Sequence, residues 1–271
     1  MSTLEPPTSG RPYLRHFRLP VQEGSEERAQ SRERRLIKST LTTLSAIYVV
    51  SIAAFIVLAE RLATGPDAVV ASALTLLVIF ALVVHALPGH DHARFGPANI
   101  ITAIRAAMVS FFGAAMFFGN LSETIELYAL VILVVSALAL DGVDGHLARR
   151  TRLQSALGTR FDMEVDAFLI LLLSVAAFLL GKAGIWVLAI GSMRYGFVLA
   201  QLGLPFLKAP LPPSFRRKLI CVVQVAALCI ILLPIVAPPL STAVAAIALG
   251  LIVYSFGVDV IDLARRRHLL P

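Results

Sequence analysis

Eight long apolar runs dominate this sequence and restrict its fold more than any other feature. They lie at approximately 39–59, 68–87, 100–118, 126–140, 163–180, 185–202, 219–237 and 240–260. A bilayer is crossed by roughly 20 apolar residues, in helical form because a backbone in lipid must satisfy its own hydrogen bonds. With 58% hydrophobic and only 15% charged residues, the chain also departs from the composition of soluble proteins. The sequence therefore predicts an all-α, polytopic membrane helix bundle.

Basic residues in the connections set the expected orientation. Four connections carry most of the Arg and Lys between the runs: 89–94, 146–160, 208–218 and 265–267. The four alternate connections contain a single Lys: 62–67, 120–126, 181–184 and 237–242. The positive-inside rule places the first set and both termini in the cytoplasm. We therefore expect a multi-pass protein of the cytoplasmic membrane, and the formal charge of +7 reflects orientation rather than nucleic-acid binding.

The chain divides into three expected parts. Residues 1–38 are polar and rich in Pro, Ser, Glu and Arg, which predicts a flexible, basic cytoplasmic tail with room for a short surface helix. Proline and glycine residues between 88 and 97 then separate the first two apolar runs from the other six. We therefore expect two extra transmembrane helices at 39–88, followed by a six-helix membrane domain at 89–271.

Four aspartates lie where the fourth apolar run ends and the fifth begins. Asp141 and Asp144 are three residues apart, and Asp162 and Asp166 are four apart. Each spacing puts a pair on one face of a helix, because residues three and four apart are neighbours there. Unpaired carboxylates this close would repel one another, and divalent cations remove that conflict. Hard oxygen ligands suit Mg²⁺ or Mn²⁺, so all four aspartates are candidate metal ligands.

Small and basic residues accompany the aspartates. Gly145 and Gly158 would let a flat or bulky ligand approach the backbone, and Arg149 suits a phosphate. This local chemistry indicates metal-assisted handling of a phosphate ester, with room for a nucleotide. The alternative is a salt-bridged loop in which four arginines neutralise the acids: Arg149, Arg150, Arg152 and Arg160.

The whole pattern, Asp-x-x-Asp-Gly-x-x-Ala-Arg, eight residues, Gly-x-x-x-Asp-x-x-x-Asp, resembles the signature of the CDP-alcohol phosphotransferases. Eight positions match it: Asp141, Asp144, Gly145, Ala148, Arg149, Gly158, Asp162 and Asp166. The resemblance covers roughly residues 90–262 and implies a six-helix catalytic domain with a polar cytoplasmic cavity, often in a homodimer. It also implies transfer of a substituted phosphate, such as a phosphatidyl group, from a CDP-linked lipid such as CDP-diacylglycerol to an alcohol. CMP is released, and the products enter phospholipid biosynthesis.

The resemblance also implies roles for individual residues. Asp141, Asp144 and Asp162 would ligate a dinuclear Mg²⁺ or Mn²⁺ site. Asp166 would help to hold the two ions and act as the general base. The CDP site would be shaped by six residues: Gly145, Ala148, Arg149, Gly158, Asn99 and Thr102.

Arginines within or beside the apolar runs bear on the acceptor alcohol. A guanidinium in a spanning segment costs a few kcal/mol unless it is paired or hydrated, so we expect Arg194 to face the cavity. An arginine there suits a phosphorylated polyol such as glycerol 3-phosphate or inositol phosphate, and Arg105 and Arg216 would extend the pocket. The alternatives are pairing of Arg194 with Glu164 or a motif aspartate, and a purely orienting role for Arg216. Choline or serine as the acceptor stays open.

Two acidic residues near the end of the last apolar run have a simpler interpretation. Asp259 and Asp262 are expected to pair with Arg265 or Arg266 rather than to take part in catalysis.

Two other classes of protein also place charge within membrane helices. A transporter is one, but the acids gather at one membrane face and the sequence shows no inverted repeat. A catalytically silent membrane scaffold is the other, and the complete set of four aspartates argues against it. Metal-dependent release of CMP would separate the enzyme from both.

Overall fold

The computed structural model describes the backbone at 20–87, 95–119, 124–151, 156–209 and 214–267. Side chains are described at 34–87, 95–119, 124–142, 157–209 and 214–266. Across these ranges the chain forms eight α-helices and no strand, which confirms the all-α bundle. The helices are α1 Pro20–Arg61, α2 Gly65–His85, α3 Pro97–Phe118, α4 Thr124–Thr151, α5 Ala156–Leu179, α6 Leu188–Gly203, α7 Phe215–Leu232 and α8 Leu240–Arg267.

Most helix ends lie within a few residues of the predicted runs, and the exceptions have local causes. α1 begins at Pro20 and continues into the first apolar run, so much of the segment expected as a tail is helical; Glu, Arg, Gln and Lys there are good helix formers. α7 ends at Leu232, five residues before the predicted end at 237. That predicted end was wrong because Pro234 has no backbone N–H and disfavours a helical residue before it. α4 continues to Thr151, as expected of a helix that carries the first half of the motif.

Within the described residues, six stretches of helix are long and apolar enough to cross a membrane: Arg34–Arg61, Gly65–His85, Pro97–Phe118, Thr124–Gly142, Ile185–Gly203 and Leu240–Arg266. The chain is therefore a multi-pass membrane protein by length and composition. The predicted spans in α5 and α7 are helices too, but charged residues lie in their first turns, four in α5 between 160 and 166 and three in α7 between 216 and 218. Eight spans and the cytoplasmic orientation stay predictions.

Helix α3 lies at the centre of the bundle, in contact with α1, α2, α4 and α5. Its sequence contains six alanines and one glycine, and small residues let neighbouring membrane helices approach closely. A Cβ atom added at Gly113 would lie 2.9 Å from Leu172 Cδ1 of α5. On the opposite side, Phe55 of α1 stacks on Phe111 at 5.7 Å between ring centroids. Helices α1 and α2 therefore both pack against α3.

Lys182 ties two connections together at the end of the bundle opposite the aspartate motif. Its buried ammonium donates hydrogen bonds to the carbonyl oxygens of Leu233, at 3.0 Å, and Val236, at 2.6 Å. Its own carbonyl accepts hydrogen bonds from the hydroxyl groups of Ser241, at 2.6 Å, and Thr242, at 3.2 Å. Burial lowers the pKa of the Lys182 ammonium. One residue between α5 and α6 thus holds the connection between α7 and α8.

We expect Lys182→Met to lower the midpoint of thermal unfolding in detergent, because the two carbonyl acceptors would lose their shared donor. The expected cost is about 1–3 kcal/mol, the usual cost of an unsatisfied buried polar group. Lys208→Met is the matched control, since Lys208 is exposed. Equal shifts in the two variants would contradict a structural role for Lys182.

Candidate functional site

Three of the four motif aspartates meet where α4 and α5 approach α3. Carboxylate oxygens of Asp141, Asp162 and Asp166 all lie within 4.8 Å of one another. Asp141 comes from the second half of α4, and the other two come from one face of α5, four residues apart. The structure therefore brings these three residues together as the spacing predicts. Asp144 lies in α4, and its side chain is outside the described residues.

Arg105 of α3 occupies the centre of this aspartate cluster. Its Nη1 donates to Asp162 Oδ1 at 2.6 Å and lies 2.9 Å from Asp141 Oδ1. Its Nη2 donates to Asp166 Oδ1. The arginine side chain is 1% exposed, whereas the three aspartates are half-buried. The guanidinium therefore bridges α3 to both halves of the motif.

Sequence reasoning placed Arg105 in an acceptor pocket and did not predict its contacts with the aspartates. The available signal was its position, since a charged residue in an apolar membrane helix normally pairs with another charge. The sequence offered several acidic partners at the same membrane face, however, and no spacing rule joins residues on different helices.

The donor set fits a hard divalent cation. Carboxylate oxygens are the ligands that Mg²⁺ and Mn²⁺ prefer, and the described cluster gathers three carboxylates within one site. Together with Arg105 their formal charge is −2. One divalent ion would balance that charge, so the residues present suit a metal without further basic groups.

The residues implied for the nucleotide lie on both sides of this cluster. Asn99 and Thr102 are buried in the first turns of α3, on the turns that precede Arg105. The Thr102 hydroxyl donates to the carbonyl oxygen of Ala98 at 3.1 Å. Gly158 is half-buried in α5, one turn before Asp162. The side chains of Ala148 and Arg149, and residue Gly145 with them, fall in the part of α4 where only the backbone is described.

Arg194 forms one of the two ion pairs that the sequence allowed as alternatives to a place in the acceptor pocket. Its Nη2 lies 2.5 Å from Glu164 Oε1, so it pairs with Glu164 rather than with a motif aspartate. Glu164 is two residues from Asp162 and from Asp166, which places it on the opposite face of α5. That outer face borders a mainly apolar cavity of about 880 Å³ between α2 and α5, with Tyr195 also at its wall. The pair therefore lies behind the aspartate cluster.

Arg216 belongs to a separate ion-pair group between α7 and α8. It donates to the Ser255 carbonyl oxygen at 2.7 Å, the Ser255 hydroxyl at 2.9 Å and Asp259 Oδ1 at 2.5 Å. Arg217 Nη1 lies 3.2 Å from the same Asp259 oxygen. The expected pairing of Asp259 with Arg265 or Arg266 was wrong, because the start of α7 lies beside the end of α8. Asp262 does pair with Arg266, at 3.0 Å.

A comparison with protein families gives the class of this protein. The model of the CDP-alcohol phosphatidyltransferase family matches residues 95–268. The chain belongs to the CDP-alcohol phosphatidyltransferase family. The matched region begins just before α3 and runs through α8, so it contains the aspartate cluster and leaves α1 and α2 outside. No curated protein matches the chain at a significant level.

We expect Asp259→Asn to destabilise the protein, since two arginines at the start of α7 would lose their shared carboxylate. Asp259 is only 9% exposed, so the expected cost is about 1–3 kcal/mol. Asp262→Asn is the matched control because its ion pair with Arg266 is exposed, and such pairs contribute about 0.5 kcal/mol or less. Thermal unfolding in detergent compares the two, and an equal loss would show that the α7–α8 contact does not depend on Asp259.

Proposed function

We propose that this protein transfers a phosphatidyl or other substituted phosphate group from a CDP-linked lipid donor to an alcohol, with release of CMP. The cluster of Asp141, Asp162 and Asp166 within 4.8 Å carries this proposal, because it lies inside the matched family region. CDP-diacylglycerol is the proposed donor, and phospholipid biosynthesis is the proposed setting. The reaction would depend on Mg²⁺ or Mn²⁺, with two ions in the site.

Each aspartate has a proposed task. Asp141, Asp144 and Asp162 hold the metal ions, and Asp166 both helps to hold them and takes the proton from the attacking hydroxyl. A bound divalent cation supplies charge neutralisation of the pyrophosphate and of the CMP leaving group. A carboxylate can act as the base when it lies within hydrogen-bond reach of the hydroxyl. Asp166 lies one turn further along α5 than Asp162, on the same face of the helix.

The proposed nucleotide site adjoins this cluster on α3, α4 and α5. Asn99 and Thr102 supply polar side chains from the first turns of α3, and both are buried. Gly158 leaves the start of α5 without a side chain, one turn before Asp162. From α4 the proposal adds three residues: Gly145, Ala148 and Arg149.

The acceptor is proposed to be a phosphorylated polyol, with Arg105, Arg194 and Arg216 as candidate phosphate ligands. Each of the three already contacts a carboxylate group. An acceptor phosphate must therefore compete with those carboxylates, whereas inositol, serine or choline would not need to. A panel of acceptors decides between these chemistries.

The proposed arrangement in the membrane follows the basic connections. The aspartate motif and both termini face the cytoplasm of the cell, in the cytoplasmic membrane, with the lipid donor entering from the surrounding bilayer. The proposal retains the division into a tail at 1–38, two extra helices at 39–88 and a catalytic domain at 89–271. It also includes a homodimer.

We expect the purified protein to release CMP from CDP-diacylglycerol with Mg²⁺ or Mn²⁺ and one acceptor. The panel comprises glycerol 3-phosphate, inositol phosphate, inositol, serine and choline. Asp162→Asn should lower the rate about 100-fold or more, because a metal ligand is lost. Asp262→Asn is a control aspartate outside the cluster. The absence of CMP release with every acceptor would count against the enzyme and favour a transporter or a silent scaffold.

Asp166→Asn tests the division of labour. We expect turnover to fall by about 100- to 10,000-fold, the usual contribution of a general base, while CDP-diacylglycerol still binds in the presence of metal. Donor binding and CMP release are measured on the same preparation. Loss of donor binding in this variant would show that Asp166 acts mainly in holding the donor and the metal.

A further inference from the structure

We propose that Arg105 is an internal counter-ion of the metal site, and that it competes with the divalent cation for the same carboxylate groups. In the absence of metal its guanidinium holds Asp141, Asp162 and Asp166 together. When metal binds, the guanidinium is driven away from these oxygens. The inference rests on the proposed function only in taking these carboxylates as the metal ligands.

The contacts of Arg105 show that it is shared rather than paired with one residue. It reaches one oxygen of each aspartate, with Nη1 serving Asp141 and Asp162 and Nη2 serving Asp166. A planar guanidinium with several donors can bridge carboxylates in this way, whereas an ammonium is a point charge. Three helices, α3, α4 and α5, are therefore joined through one cation.

Because the three carboxylates are partly buried, removing the positive charge of Arg105 would cost free energy. Arg105 is 1% exposed and the three carboxylates are half-buried. Carboxylates gathered in such a site repel one another, and removing the positive partner leaves that repulsion uncompensated. The metal-free protein therefore needs Arg105 to keep the aspartates converged.

Metal binding reverses the electrostatics around Arg105. A divalent cation coordinated by the same carboxylates would carry twice the positive charge of the guanidinium and lie close to it. Like charges at that separation repel strongly in a partly buried site. The presence of Arg105 therefore weakens metal affinity, and the displaced guanidinium becomes available to a phosphate group.

Arg266 provides a matched control for the loss of one arginine charge. It pairs with a single carboxylate, that of Asp262, at 3.0 Å, and both side chains are exposed on α8. Arg105 differs from it in contacting three carboxylates that are themselves proposed metal ligands.

The test measures Mn²⁺ affinity and metal-free stability, neither of which requires turnover. In Arg105→Met, the Mn²⁺ concentration at half-saturation, followed by electron paramagnetic resonance of free Mn²⁺, should fall about tenfold or more because a competing charge is gone. In EDTA the same variant should unfold at a lower temperature than the wild type, and saturating Mn²⁺ should close most of that gap. Arg266→Met should leave the Mn²⁺ affinity unchanged.

Three further substitutions keep the result interpretable. Arg105→Lys retains the positive charge and should leave Mn²⁺ affinity within about threefold of wild type. Arg105→Gln retains hydrogen-bond donors without charge, so it should bind Mn²⁺ more tightly even if Arg105→Met fails to fold. Asp162→Asn should lose Mn²⁺ binding.

The outcomes separate this inference from the proposed function. Mn²⁺ affinity that is unchanged or weaker in Arg105→Gln, together with loss of binding in Asp162→Asn, would overturn the counter-ion role and leave the metal site standing. Mn²⁺ binding that Asp162→Asn does not affect, or no saturable binding in any variant, would overturn both.

Discussion

The contact of one buried arginine with three aspartates is the constraint on which the rest of this bundle depends. Charge is expensive among membrane helices unless it is matched, and Arg105 matches Asp141, Asp162 and Asp166 from the middle of the fold. To make these contacts α3 must lie against both α4 and α5. The central position of α3 and the convergence of the motif are thus consequences of a single electrostatic requirement.

The two N-terminal helices, which lie outside the family region, pack against the helix that carries the buried arginine. α1 and α2 both pack along α3, and Phe55 of α1 stacks on Phe111. They shield from lipid the helix that carries Arg105, Asn99 and Thr102. A packing contribution to the site therefore comes from residues that no signature motif contains.

Much of the fold could be predicted from the sequence, because apolar runs and helix breakers report on local structure. Eight runs became eight helices. The run in α7 was predicted to end too late because it passed Pro234, while α5 begins seven residues before its predicted run and α8 ends seven residues after its own. The placement of Asp162 and Asp166 on one face of α5 also followed from spacing, since a four-residue interval is set by helix geometry. The partners of Arg105, Arg194 and Asp259 could not be derived in this way. They depend on which helices are neighbours, and sequence spacing within one helix carries no information on that.

The distribution of polar groups along the bundle also bears on how the site could work. At one end, ion pairs link α3 to α5, α5 to α6, and α7 to α8. At the other end, Lys182 instead donates to backbone carbonyls. The acceptors of Lys182 are neutral backbone carbonyls, so no carboxylate is present in these contacts for a bound cation to attract. We therefore expect this end of the bundle to keep its contacts. At the charged end, Arg105, Arg194 and Arg216 each contact a carboxylate that another charge could replace. Under the proposals above, exchange of charged partners would take place at the face of the bundle where the family motif lies.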